Sequence, residues 1–225
     1  MSQKKPVVAI DGPAGSGKST VAKQLAKRLG FTHIDTGALY RGVALLAIEK
    51  DAALGQEAPV VAAARGVKFE FRFTPEGNLL HLDGRNVGKL IRTEQVSAGS
   101  SKVSAYPGVR ALLLDLQRDL GAGGGVVLEG RDIGTVVFPD AEVKVFLTAS
   151  IEARAERRAK ELREKGDPVD LEQVKTEMVR RDKQDTERAI APLKQAADAV
   201  LVDTSGLAID SVLDRLESIV RSKEA

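Results

Sequence analysis

The chain contains no cysteine. Disulfides, thiolate zinc sites and a cysteine nucleophile are therefore excluded. Histidine is scarce, with only His33 and His81. No second metal-type residue stands at a useful spacing from His33, so it reads as a packed or solvated strand residue. No long apolar run occurs, so neither a signal peptide nor a membrane span is expected, and the cytoplasm is the expected compartment. An excess of one charge is also missing: 34 Lys and Arg face 32 Asp and Glu, a net of +2. A general affinity for nucleic acid is not indicated, and any basic site must be local. Internal repeats and low-complexity segments are absent. What remains is an ordinary globular composition, 43% hydrophobic and 29% charged over 225 residues, enough for a sizeable core in one large or two small domains.

Against that plain background one stretch stands out. Val7-Val8-Ala9-Ile10 is a short apolar run that reads as a buried strand. Gly12-Pro13-Ala14-Gly15-Ser16-Gly17-Lys18-Ser19 then matches G-x-x-x-x-G-K-[ST] without departure, and Thr20 leads into helix-spaced Val21, Leu25 and Leu29. Strand, glycine loop and helix thus come in the order of a phosphate-binding loop. Its N–H groups form a concave nest and the helix adds its positive end. Lys18 can reach the β- and γ-phosphates, and the Ser19 hydroxyl can bind Mg²⁺. The motif alone leaves open a kinase, a GTPase, an ATPase motor or a nucleotide-gated binder.

Further along, Thr32-His33-Ile34-Asp35 reads as a second strand, and Asp35 with Thr36 fits a helix cap as well as a site. Residues 51–66 read as an Ala-rich connecting helix. Val67, Phe69, Phe71 and Phe73 alternate with polar residues, Pro75-Glu76-Gly77-Asn78 is a turn signal, and Leu80 and Leu82 alternate after it. With a second turn at Asp83-Gly84, this is the pattern of a small antiparallel meander inserted in an α/β chain. Residues 92–106 are polar and Ser-rich. Pro107 opens a helix whose stripe is Val109, Leu112, Leu113, Leu116 and Leu120; Arg110 lies off that stripe and passes for a surface charge. Val126 to Glu129 and Val143 to Ala149 are further buried strands. The helix from Ile151 carries Arg154, Arg157 and Arg158 and reads as a solvated face laced with i,i+4 pairs. Gly166-Asp167-Pro168 breaks it before a second charged helix, Leu171 to Glu187. A last strand, Ala199 to Val202, precedes a well-patterned terminal helix.

Strands alternating with helices imply a mostly parallel, doubly wound sheet. Ligands of such sheets sit beyond the carboxyl ends of strands, which marks Arg131 and Asp132 after the strand ending at Glu129. Arg41, Arg110, Arg131, Arg188 and the arginines of the charged helices are more than one triphosphate needs. A second phosphorylated ligand explains them better, because guanidinium groups bind phosphate through paired hydrogen bonds. No obvious general base is present. A monophosphate ester has its second pKa near about 6 and is already a nucleophile at neutral pH.

Four segments carry a resemblance: the phosphate loop, Asp35-Thr36-Gly37-Ala38-Leu39-Tyr40-Arg41, Glu129-Gly130-Arg131-Asp132-Ile133-Gly134-Thr135-Val136-Val137-Phe138-Pro139, and Arg181-Asp182-Lys183-Gln184-Asp185-Thr186-Glu187-Arg188. Together they resemble the signature segments of bacterial cytidylate kinases, over nearly the whole chain. The resemblance implies a P-loop fold with the core in 1–50, 107–150 and 189–225, a monophosphate-binding insertion in 51–106, and a helical lid in 151–188. It implies a monomer that uses ATP, CMP or dCMP, and Mg²⁺ bound at Ser19, with no nucleic-acid or membrane partner. By matching position Lys18, Arg131, Arg157, Arg181 and Arg188 are catalytic. Gly12 to Thr20 with Arg157 and Arg158 bind ATP. Arg41, Arg131 and Arg188 hold the acceptor phosphate; Ser101, Arg110 and Asp132 read cytosine; Asp185 and Arg181 approach the sugar; Thr36 and Tyr40 complete the CMP pocket. Thr36 stands where the family often has Ser, and Glu129 where it often has Asp. Two other readings stand beside this one: a kinase for another small acceptor such as UMP, and a nucleotide-dependent switch.

Overall fold

The computed structural model describes residues 5–74, 77–164, 166 and 168–224. In chain order they form β1 (Val7–Asp11), α1 (Lys18–Leu29), β2 (Thr32–Asp35), α2 (Gly37–Glu49), α3 (Glu57–Ala64), β3 (Phe69–Thr74), β4 (Gly77–Leu82) and β5 (Arg85–Asn86). There follow α4 (Glu94–Val103), α5 (Pro107–Gly121), β6 (Val126–Gly130), β7 (Val143–Thr148), α6 (Ile151–Glu164), α7 (Leu171–Glu187), β8 (Val200–Asp203) and α8 (Ile209–Glu224). Two compact units result, Met1–Thr32 with Gly123–Ala225, and His33–Ala122.

In the first unit β1 is buried at all five positions, as an apolar strand with a neighbour on each side must be. It pairs in parallel with β6, Val7 opposite Val126, and with β7, Val8 opposite Val143. The sheet order is β2-β6-β1-β7-β8, the chain leaving the first unit through β2. Val8, Ile10, Val145 and Leu147 pack with Val21 and Leu25 of α1 and with Leu213 and Leu216 of α8. The expected parallel α/β core is therefore present. Its consequence for function is that β1 and β6, adjacent and parallel, both release their chains at the same end of the sheet.

The second unit has its own core, in which Leu39, Val43 and Leu46 of α2 meet Leu80, Leu82, Val103 and Leu113. The meander is there: β3 and β4 pair antiparallel from Phe69 opposite Leu82 to Thr74 opposite Gly77, and β5 adds a third strand. Asp83 and Gly84, both with positive φ (47° and 82°), make the two-residue turn between β4 and β5. The turn read at Pro75 and Glu76 lies outside the described residues, as does Asp167 of the helix break. One expectation needs correction. The connecting helix is confined to Glu57–Ala64. The Ser-rich stretch, whose pattern marks no element, forms α4, started by Thr93, whose hydroxyl accepts the Val96 N–H at 3.4 Å. Among the described residues no helix is long and apolar enough to cross a membrane.

Candidate active site

The loop leaving β1 is shaped by steric necessity. Gly12 has φ 149°, and a Cβ there would lie 1.9 Å from the Leu147 carbonyl oxygen; only glycine fits. Helix α1 starts at Lys18 after Gly17, with no acidic residue of its own in its first turn, which leaves its positive end suited to an anion. Lys18 is buried and its ammonium donates to the Pro13 carbonyl at 2.6 Å and the Ser16 hydroxyl at 3.3 Å. Burial, and next the positive charge of Arg131, hold its pKa well below the ordinary lysine value, while Glu129 and Asp11 oppose the shift. Arg181 also bears on it. Cations from the β1 loop, the β6 end and α7 thus act on one another, and a bound anion would relieve the repulsion that Glu129 and Asp11 offset only in part.

Beside Lys18, the Ser19 hydroxyl donates to the Glu129 carboxylate at 2.7 Å. The extra methylene of Glu129, relative to Asp, still leaves its carboxylate on this hydroxyl. Arg157 donates to the Thr204 carbonyl at 2.7 Å and hydroxyl at 3.0 Å, and at 3.5 Å to the Gly15 carbonyl. Thr204 in turn donates to the Ser16 carbonyl at 3.1 Å. Arg158 pairs with Glu161 on its own helix at 3.2 Å, and Thr20 is exposed.

The chain after β6 makes a single π-helical turn, Ile133–Val137. Arg131 donates to Asp185 of α7 at 3.0 Å, and Asp132 receives Arg188 at 3.2 Å. The Arg188 and Asp132 side chains are only 4% and 6% exposed. Four of the residues matched to the acceptor pocket are therefore brought together as two ion pairs between the β6 loop and α7 with the residue that follows it.

The second unit holds the others. Asp35 accepts the Ala38 N–H at 3.2 Å in the first turn of α2, as a capping residue does, and it pairs with Arg41. Burial pushes the Asp35 carboxyl up, but Arg41, with His33 and Arg92, holds it below the usual carboxylate value. Thr36 and Tyr40 are buried. Arg110 is no surface charge: it is buried, its guanidinium lies 5.4 Å from the centre of the Tyr40 ring, and it donates to the Ser104 carbonyl at 3.1 Å. Ser101 sits on α4, its carbonyl taking the Ser104 hydroxyl at 2.9 Å.

Three residues escaped the reading of the sequence. Thr204 braces Arg157 and the phosphate loop, as above. Arg154, taken as part of a solvated face, is buried; it lies on the same side of α6 as Ile151, Ala155 and Leu162, which was the available signal. Asp11, the last residue of β1, accepts the Ile133 N–H at 2.8 Å and the Gly134 N–H at 2.7 Å, tying the π-helical turn to the root of the phosphate loop.

Asp11 makes a stability prediction. Burial pushes its carboxyl up from 3.8 to about 6, against the two backbone N–H bonds, with Asp132 adding to the rise. The native state therefore binds this proton more tightly than the unfolded chain. Its stabilising effect is complete below about pH 4 and is lost as pH rises through about 6, on the order of 3 kcal/mol in all. Urea unfolding of wild type and Asp11→Asn, compared at intervals from pH 4 to pH 7, should show wild type losing ground to the variant as pH rises. A pH-independent difference would refute the shift.

Comparison with known proteins fits this geometry. A family model described as cytidylate kinase matches residues 8–222. The cytidylate kinase of Carboxydothermus hydrogenoformans is 51% identical over 216 residues, 96% of this chain and 97% of that one. That of Anoxybacillus flavithermus is 47% identical over 221 residues, 98% of each. Among solved structures, an uncharacterized protein from Eubacterium ventriosum aligns over 97% of this chain and 99% of its own with a TM-score of 0.52 at 14% identity, which bears on the fold alone. With the family model matched over nearly the whole chain and relatives about half identical along their full length, the chain belongs to the cytidylate kinase family, whose members are ATP-dependent kinases.

Proposed function

We infer that the chain transfers the γ-phosphate of ATP to CMP or dCMP, releasing ADP and CDP or dCDP. The observation that carries this reading is the family match over residues 8–222. The cations around Lys18 support it. A phosphate oxygen of CMP attacks the γ-phosphorus, the bond from that phosphorus to the β,γ-bridging oxygen breaks, and the electron pair leaves with ADP. The attacking oxygen belongs to a phosphate monoester with its second pKa near about 6, so no base has to take a proton at neutral pH. The work of the protein is alignment and charge neutralisation.

In this reading Gly12 to Thr20 wrap the ATP phosphates and Lys18 follows the γ-phosphoryl group as it moves. Arg41, Arg131 and Arg188 meet the acceptor phosphate, Arg181 approaches the sugar with Asp185, and Arg157 and Arg158 serve the ATP side from a lid spanning 151–188. Thr36, Tyr40, Ser101, Arg110, Asp132 and Asp185 enclose the nucleoside, with 51–106 as the monophosphate-binding insertion and 1–50, 107–150 and 189–225 as the core. The donor set also suits Mg²⁺. The Ser19 hydroxyl and Glu129 carboxylate, 2.7 Å apart, are hard oxygen donors, and Mg²⁺ in nucleotide sites takes few protein ligands beside phosphates and water. When bound, the ion neutralises charge on the β- and γ-phosphates. The kinase acts without a nucleic-acid or membrane partner, as a cytoplasmic monomer.

A coupled ADP-release assay across CMP, dCMP, UMP, AMP and GMP tests the reading. ADP should appear only with an added monophosphate, and fastest with CMP or dCMP. ADP release indifferent to the monophosphate would favour a nucleotide-dependent switch, and a preference for UMP would move the chain to another acceptor.

A further inference from the structure

Helix α6 carries four arginines, and Arg154 alone is buried. Its Nε donates to the Ala149 carbonyl at 3.0 Å, one terminal nitrogen to the Ala14 carbonyl at 3.1 Å, and the other pairs with Asp182 of α7 at 2.7 Å. One planar fork therefore joins the end of β7, the middle of the phosphate loop and α7. A buried guanidinium is tolerated only with such partners, and their directions fix it in place.

Apolar packing supports the same junction. A Cβ on Gly15 would lie 2.7 Å from the Met178 Cε and 3.2 Å from the Arg154 Cβ. Both helices thus pack closely on the glycine of the loop, so that a side chain there would displace the Met178 tip and press on Arg154. On α7 the residues Met178, Asp182 and Asp185 fall at i, i+4 and i+7, one face of the helix. The first packs on the loop, the second holds Arg154, and the third holds Arg131, whose charge bears on Lys18. The Ala14 carbonyl matters in its own right. A loop that cradles phosphate must turn N–H groups inward, and an oxygen swung into the cradle would repel the anion; Arg154 holds that oxygen.

We propose that Arg154 is a positioning residue that registers α7 on the phosphate loop, so that the Asp185–Arg131 pair is aligned with Lys18. It acts through Ala14 and Asp182. The kinetic part of its test rests on the kinase reading above; the exchange part does not.

Asp182, partly exposed, is the gentler handle. In the unliganded full chain, Asp182→Ala should speed amide hydrogen exchange across 171–187 by about tenfold or more while β1 and β6 keep their wild-type rates. With ATP and CMP, Arg154→Met and Asp182→Ala should each lower kcat by about 10- to 100-fold, the scale of a small misplacement of reacting groups, with KM for ATP moving less than about threefold. The double variant should be no slower than the slower single one, and Asp182→Asn, which keeps an acceptor for Arg154, should recover most of the loss. Unchanged exchange in α7, or single-variant factors that multiply in the double, would overturn the proposal. Should Arg154→Met not fold, the Asp182 variants decide by exchange and by the recovery with Asn. A wild type unable to phosphorylate CMP would sink the kinase reading alone, and the exchange result would still decide the role of Arg154.

Discussion

Lys18→Met should lose about 10²-fold or more in kcat, the scale seen when one preorganised charge contact to a transition state is removed, while its melting temperature stays at or above that of wild type. The two halves of this expectation share one cause. Lys18 is buried, and burial with the positive charges of Arg131 and Arg181 holds its pKa well below the ordinary lysine value against the pull of Glu129 and Asp11. A cation kept in such a place works against folding. Methionine keeps most of the stem and removes the charge, so the fold loses only the bonds to Pro13 and Ser16, 2.6 and 3.3 Å long. A transferring phosphoryl group gathers negative charge where the ammonium would be missing. Steady-state kinetics with ATP and CMP, together with a thermal melt, check both halves. Turnover within about threefold of wild type would remove Lys18 from the chemistry, and a large fall in melting temperature would make it a structural residue.

The parts of this chain legible in the sequence are those whose physics is local. β1 and the phosphate loop are a buried run followed by glycines whose conformations other residues do not take, and the loop motif records that directly. Helix α7 runs from Leu171 to Glu187, the span its pattern marks, because Asp170 caps it, accepting the Glu172 and Gln173 N–H groups at 2.9 and 3.3 Å. Helix α4 was not legible. Its buried face mixes Val96 and Val103 with Gly99 and Ser100, and Gly99 sits where a Cβ would come 3.3 Å from the Ala44 Cβ, so two valines and close approach to α2 hold it rather than a full apolar stripe. The misread arginines share another reason. Whether a charge is exposed or buried depends on acceptors the local pattern does not contain. Arg154 reaches the Ala14 carbonyl, 140 positions away in the chain, and Arg110 sits over Tyr40. Asp11 was hidden in the same way, its partners Ile133 and Gly134 lying more than a hundred residues on.

Asp132→Asn should narrow the preference for CMP over UMP by about tenfold, worth roughly 1.4 kcal/mol, and lower kcat/KM for CMP by more than that. Asp132 has two tasks in this site. One oxygen accepts Arg188 at 3.2 Å, in a pair whose side chains are 4% and 6% exposed. The other task, proposed for the acceptor pocket, is to face the base. Cytosine offers an amino donor at N4 where uracil offers an oxygen acceptor, and an ionised carboxylate only accepts. Asparagine keeps an oxygen for Arg188 and turns the other position into a donor, which suits uracil better than cytosine. It also removes the countercharge of a buried guanidinium, so the variant should melt lower, losing about 1–3 kcal/mol. Arg188→Lys supplies the control, since it disturbs the pair without changing what Asp132 can accept, and it should reduce turnover of CMP and UMP by the same factor. Both substrates measured on all three proteins separate the tasks. If Asp132→Asn also lowers CMP and UMP equally, Asp132 acts only by holding Arg188, and the choice of base must rest with Ser101 and Arg110.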